Sequence, residues 1–83
     1  MTAPRIVLTK HAQDVMTERE IQLAWVEQTV SQPTFVEDDP TRPGVVRAFR
    51  RIAERGDRML RVAYIAEGDS LRILTVFFDR SRR

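Results

Sequence analysis

The chain has 83 residues, of which 42% are hydrophobic and 31% are charged, with no cysteine and one histidine. This length allows one domain with a thin core, and the composition is typical of a globular protein rather than a disordered one. The lack of cysteine excludes disulfide frameworks, thiol nucleophiles and thiolate metal sites, and a single histidine argues against a histidine-based metal cluster. We therefore predict one domain over residues 1–83 without a metal or cofactor.

Charge is distributed unevenly along the sequence. Residues 1–40 contain three basic and seven acidic residues, a balance of −4, whereas residues 41–83 contain eleven basic and five acidic residues, a balance of +6. Thirteen of the fourteen basic residues are arginine, whose planar guanidinium matches phosphate and stacks on bases. The second half therefore indicates binding to nucleic acid or to an acidic protein. The alternative is a solvated surface of salt bridges.

The sequence has no apolar stretch near the roughly twenty residues that span a bilayer. Its N-terminus lacks the basic and then apolar layout of a signal peptide. We therefore expect a cytoplasmic protein with no membrane partner.

The first forty residues predict a short strand followed by two helices. The strand covers residues 5–8, and Thr9 is a plausible N-cap for an amphipathic helix that runs to about Glu18. A second amphipathic helix covers residues 21–30 and ends before Pro33. We expect the two helices to form a tight antiparallel hairpin.

The rest of the chain has the pattern of strands. Residues 55–58 and 67–70 each place glycine beside aspartate between apolar runs, as hairpin turns require. Residues 37–44 contain two prolines and one glycine, which predicts an exposed loop that could be mobile. The apolar strand patterns are residues 35–36, 45–53, 59–66 and 71–78.

These elements predict an α+β fold in the order β-α-α-β-β-β. In this two-layer domain the helical hairpin packs on one face of an antiparallel sheet and leaves the other face open.

Several short motifs carry a resemblance to a known family. They are Lys10-His11-Ala12, Met16-Thr17-Glu18-Arg19, the Pro33 after the second helix, Leu60-Arg61-Val62 and Leu74-Thr75-Val76. With the order of elements, they make the chain similar to a family of small uncharacterised bacterial domains related to the RelE/ParE-like and BrnT-like toxins. The resemblance covers nearly the whole chain and implies a RelE/ParE-like fold.

The resemblance also implies a function. RelE-like and BrnT-like toxins are ribonucleases held inactive by an antitoxin, whereas ParE-like toxins act on DNA gyrase. We therefore expect a toxin-like RNA-binding protein of a toxin–antitoxin pair, with an acidic antitoxin-like partner. Its candidate activity is that of a metal-independent ribonuclease.

Cleavage of RNA through its own 2′-hydroxyl needs a base, an acid and cations that stabilise the phosphorane. His11, Arg61 and Tyr64 are the candidate catalytic residues, although local hydrogen bonding of His11 and a core-edge position of Tyr64 are the favoured structural alternatives. Trp25 is interpreted as core or rim packing, and Arg19 as a brace between helices and sheet. The candidate phosphate-binding residues, expected to converge on the open sheet face, are Arg47, Arg50, Arg51, Arg58 and Arg61.

Two other functions fit the same sequence. One is a non-catalytic protein-binding module that engages an acidic partner through the arginine-rich sheet. The other is a homodimer in which the acidic half of one chain faces the basic half of another.

Overall fold

The computed structural model describes residues 5–80. It contains two helices and five strands, with one turn of 3₁₀ helix at Ala53–Arg55. The helices are α1 (Lys10–Glu18) and α2 (Leu23–Ser31), and the strands are β1 (Arg5–Leu8), β2 (Phe35–Asp38), β3 (Val45–Ile52), β4 (Arg58–Glu67) and β5 (Ser70–Phe78). The predicted α+β class with two layers is confirmed.

The five strands form one mixed sheet in the order β1-β5-β4-β3-β2. Strands β2 to β5 are antiparallel to their neighbours, but β1 runs parallel to β5, with Arg5 beside Ser70 and Leu8 beside Ile73. The prediction of a fully antiparallel sheet was therefore wrong at this edge, and the predicted order omitted β2. Local patterns cannot show the direction of β1, because its partner lies more than sixty residues away in the sequence.

Each helix packs on its own part of the sheet. Helix α1 lies against β5 and β1, whereas α2 lies against β3 and β4. The expected tight helical hairpin is therefore looser than predicted, since each helix is held mainly by the sheet. Beneath both helices lies the main core of Ala12, Met16, Ile21, Trp25, Val26, Ile52, Leu60, Val62, Ile73 and Val76.

Both ends of α1 are fixed by specific hydrogen bonds. The Thr9 hydroxyl oxygen accepts from the Ala12 N–H at 3.2 Å and donates to the Ile73 carbonyl at 2.8 Å, so one side chain caps the helix and ties it to β5. At the other end the Ile21 N–H donates to the Met16 carbonyl at 2.8 Å, while Glu20 has a φ of 55°. This is a Schellman termination with glutamate at the left-handed position that usually holds glycine.

The sheet face away from the helices is less open than predicted. On it Phe49 is fully buried although no helix covers it. The ring of Phe35 stacks on Phe49 with centroids 4.5 Å apart, and Arg61 lies directly opposite Phe49 on β4. Aromatic rings and arginine stems thus cover this face.

Candidate functional site: an arginine groove beside the end of β5

The sheet face away from the helices presents arginines that are already paired with carboxylates. Arg47 contacts Glu37 at 3.1 Å and Asp39 at 3.3 Å, and only 16% of its side chain is exposed. Arg61 contacts Asp79 at 3.2 Å, and its guanidinium stacks over Phe77. Two of the predicted phosphate ligands therefore have carboxylate partners within the chain.

Asp39 organises the predicted loop, which is exposed over residues 40–44. Its buried carboxylate accepts hydrogen bonds from the Thr41 N–H at 2.9 Å and hydroxyl at 3.0 Å, and from the Arg42 guanidinium at 3.0 Å. The Thr41 N–H and the Arg42 guanidinium hold the pKa of this carboxyl well below its usual range. The loop between β2 and β3 is thereby pinned to the sheet through Arg47.

Of the other predicted phosphate ligands, only Arg51 is on the same sheet face as Arg47 and Arg61, because side chains alternate between the faces along β3. Arg50 and Arg58 point to the helix-covered face, since they stand opposite the core residues Leu60 and Ile52. Arg50 donates to the carbonyl of Gln32, the C-cap residue of α2, at 2.6 Å, and Arg51 donates to the Asp57 carbonyl at 3.1 Å. The five arginines therefore do not converge on one surface.

The three candidate catalytic residues are not brought together. His11 is exposed on α1, where its Nε2 lies 3.3 Å from the Thr75 hydroxyl. Tyr64 is half-buried against the main core, and burial raises the pKa of its hydroxyl. Arg61 is on the opposite sheet face, where burial, assisted by the Arg47 charge, lowers its pKa. The sheet therefore separates Arg61 from Tyr64.

A groove of about 480 Å³ lies between α1 and the C-terminal end of β5. We call it the arginine groove. Its lining residues are Val15, Glu18, Arg19, Arg55, Arg58, Thr75, Val76, Phe77, Phe78 and Arg80.

The arginine groove is strongly positive, because its lining contains four arginines and one carboxylate, that of Glu18. Within residues 5–80, Arg19, Arg55 and Arg58 form no ion pair with a carboxylate. Arg55 donates one hydrogen bond to the Glu20 carbonyl at 3.3 Å, which leaves its charge uncompensated. These guanidiniums therefore remain available to an external anion.

Aromatic rings support two of these arginines from beneath. The guanidinium carbon of Arg55 lies 5.1 Å from the Phe78 ring centroid and 5.8 Å from that of Trp25. The guanidinium carbon of Arg58 lies 4.9 Å from the Phe78 centroid. Trp25 is 4% exposed and meets Phe78 edge to face, so its predicted packing role is confirmed. The rings fix the guanidiniums by cation–π contact.

A neighbouring depression of about 510 Å³ shares Arg58 and Arg80 with the groove. Its lining also contains Asp57 and Asp79, so its charge is more nearly balanced. The arginine groove is the better candidate for an anion site.

Sequence reasoning found only part of the groove. The sequence predicts Arg58 as a phosphate ligand and Arg19 as a brace, and it indicates no role for Arg55 or Arg80. One signal was present, since Arg55 and Arg58 flank a turn. Their approach to Arg19 depends on how α1 lies along β5, which no local pattern reveals.

Over residues 5–80, no helix is long and apolar enough to cross a membrane. The same part of the chain contains no group of three or more His, Cys, Asp or Glu side chains that could hold a metal ion.

Comparison with known proteins gives one match. Neither the curated proteins nor the solved structures include a match to this chain. The model of the family described as "Domain of unknown function (DUF4258)" matches residues 8–78, which include both helices and strands β2 to β5 in full. The chain is therefore a member of the DUF4258 family.

Proposed function

We propose that this protein binds RNA through the arginine groove. The observation that carries the proposal is the presence in one groove of three guanidiniums, those of Arg19, Arg55 and Arg58, without a carboxylate partner in residues 5–80. Guanidinium groups bind phosphate oxygens through paired, charge-assisted hydrogen bonds. A groove lined by several such groups attracts a polyanion and can hold the sugar–phosphate backbone of a nucleic acid.

The internal pairing of Arg47 and Arg61 shifts the proposed binding surface away from the sheet face. Arg47 could bind phosphate only by breaking its ion pairs with Glu37 and Asp39. Arg61 would have to break its ion pair with Asp79. Such a half-buried pair is costly to break, because removing one partner leaves the other charge buried and unpaired. Binding of phosphate by Arg19, Arg55 or Arg58 breaks no such ion pair in residues 5–80.

We further propose that His11 supplies the proton transfer of a metal-independent ribonuclease. His11 borders the groove, because it contacts Thr75 in the groove lining. Arg61 also contacts a lining residue, Phe77, but its charge is paired with Asp79. An imidazole can act as the general base that removes the 2′-hydroxyl proton. The toxin-like role and the relationship to RelE/ParE-like and BrnT-like proteins stay predictions from the sequence.

An assay with labelled total RNA and a defined mRNA, with and without EDTA, tests both parts. We expect the wild-type protein to bind and cleave RNA in either condition. His11→Gln should bind without cleaving, and Arg55→Ala/Arg58→Ala should do neither. Arg5→Ala/Arg72→Ala removes the same charge near the start of β5 and is the matched control.

Each part has its own contradicting result. RNA that stays intact although it is bound would remove the catalytic part. Failure to bind RNA, together with groove-dependent binding of an acidic peptide, would replace the proposal with the non-catalytic protein-binding module.

A further inference from the structure

We infer that Arg55, Arg58 and Phe78 form a preorganised subsite for a single phosphate group within the arginine groove. This inference deepens the proposed function and rests on it for the physiological source of the phosphate. The chemistry that the subsite recognises is the phosphate oxyanion itself, whether free or within RNA.

The first step of the inference is that one ring fixes two guanidiniums. Their central carbons lie 5.1 Å (Arg55) and 4.9 Å (Arg58) from the Phe78 centroid. Both distances are within the roughly 6 Å range of cation–π attraction. Both side chains also line the arginine groove, so an anion in the groove is attracted by both charges.

The second step is that the ring is itself held in place. Phe78 packs against the main core and meets Trp25 edge to face with centroids 6.4 Å apart. Arg55 is also fixed through its hydrogen bond to the Glu20 carbonyl at the end of α1. Long arginine side chains normally lose rotamer freedom when a ligand binds, and here much of that freedom is already lost.

The third step is a contrast within the same molecule. Arg61 stacks on Phe77 at 4.3 Å, a similar arrangement, but its charge is used by Asp79. In residues 5–80, Arg55 and Arg58 have the stacking without a carboxylate. Arg61 therefore forms a structural ion pair, whereas Arg55 and Arg58 have the arrangement of an anion-binding site.

Titration with inorganic phosphate at constant ionic strength, with chloride as the reference anion, tests the subsite. Trp25 is the only tryptophan, and its ring lies 5.8 Å from the Arg55 guanidinium carbon, so its fluorescence reports on the site. We expect a saturable change for the wild-type protein. Arg55→Lys and Arg58→Lys keep the charge but lose the planar fork, and each should weaken phosphate binding about tenfold, the value of one charge-assisted hydrogen bond. Arg72→Lys is the matched control and should bind like the wild type.

The role of Phe78 as a positioning residue has its own test. Phe78→Leu should weaken phosphate binding about two- to fivefold, the value of an exposed cation–π contact, whereas Phe78→Tyr keeps the ring and should restore it. A purely structural role would lower the melting temperature of Phe78→Leu without this rescue of binding. If Phe78→Leu does not fold, phosphate binding by Arg55→Lys and Arg58→Lys still tests the subsite.

The subsite is contradicted if phosphate gives no saturable change, or if both lysine variants bind it like the wild type. A parallel titration with a labelled single-stranded oligoribonucleotide separates this inference from the proposed function. Phosphate binding without RNA binding would keep the subsite and remove the RNA proposal. RNA binding that is equal in the wild type and both lysine variants would keep the RNA proposal and remove the subsite.

Discussion

Asp39 shows how one carboxylate can decide whether a segment of sequence is a loose loop or a fixed one. Five donors from Thr41 and Arg42 converge on it, and Arg47 ties it to the sheet. A run of acidic and proline residues predicted exposure and mobility. It did not reveal that Asp39, the last residue of the acidic run, turns inward, because that depends on contacts with Arg42 and Arg47 that form only in the fold.

Replacing Asp39 with asparagine is expected to destabilise the fold. The substitution keeps the shape but removes the charge that Arg42 and Arg47 contact. We expect the melting temperature to fall by roughly 5 °C or more, as for the loss of a well-ordered charged contact in a domain of this size. Asp38→Asn is the control, since Asp38 is the exposed neighbour at the end of β2. Equal melting temperatures for Asp39→Asn and the wild type would show that the network contributes nothing.

The same residue gives a dependence of stability on pH. The pKa of Asp39 is lowered in the folded state, so its contribution is present above the ordinary aspartate value near 4 and is lost as the pH falls below that value. Thermal unfolding between about pH 2 and pH 7 should therefore show a smaller acid destabilisation for Asp39→Asn than for the wild type. A parallel decline in both proteins would contradict this assignment.

At the scale of an element, the end of α1 carries a backbone cost that substitution can remove. Glu20 has a φ of 55°, a conformation that costs a residue with a Cβ roughly 1–2 kcal/mol relative to glycine. Glycine would recover only part of this energy, because it loses more conformational entropy on folding. We expect Glu20→Gly to raise the free energy of unfolding by roughly 0.5–1 kcal/mol, measured by urea denaturation.

Glu20→Ala is the matched control for that change. It removes the same carboxylate but keeps the Cβ, so it should not stabilise the protein. If alanine stabilises as much as glycine, the effect arises from charge, and the explanation from backbone conformation is wrong.

The elements differ in how far the sequence predicted them. The Thr9 cap, the end of α2 before Pro33 and the two glycine-containing hairpin turns depend on residues close together in sequence, and they were predicted correctly. The parallel pairing of β1 with β5 and the separate packing of the helices depend on distant partners, and they were not. The candidate site follows the same division, because Arg55 and Arg58 are neighbours in sequence but meet Arg19 only in the fold.

At the scale of the whole molecule, the charge separation along the sequence does not become two opposite faces. Glu37 and Asp39 come from the acidic half, yet they pair with Arg42 and Arg47 from the basic half. The arginines without carboxylate partners in residues 5–80 include three in the groove beside the end of β5. Folding therefore concentrates a diffuse basic composition into a local site, which is the basis of the proposed RNA binding.

The most direct test of that claim is the salt dependence of RNA binding. The affinity for a labelled single-stranded RNA would be measured over a range of salt concentrations for the wild type, Arg55→Ala/Arg58→Ala and the control Arg5→Ala/Arg72→Ala. Each lost phosphate contact should reduce the slope of log K against log salt by about 0.7, so the groove variant should lose about 1.4 and the control should keep the wild-type slope. Equal slopes for the two double variants would contradict a binding site in the groove.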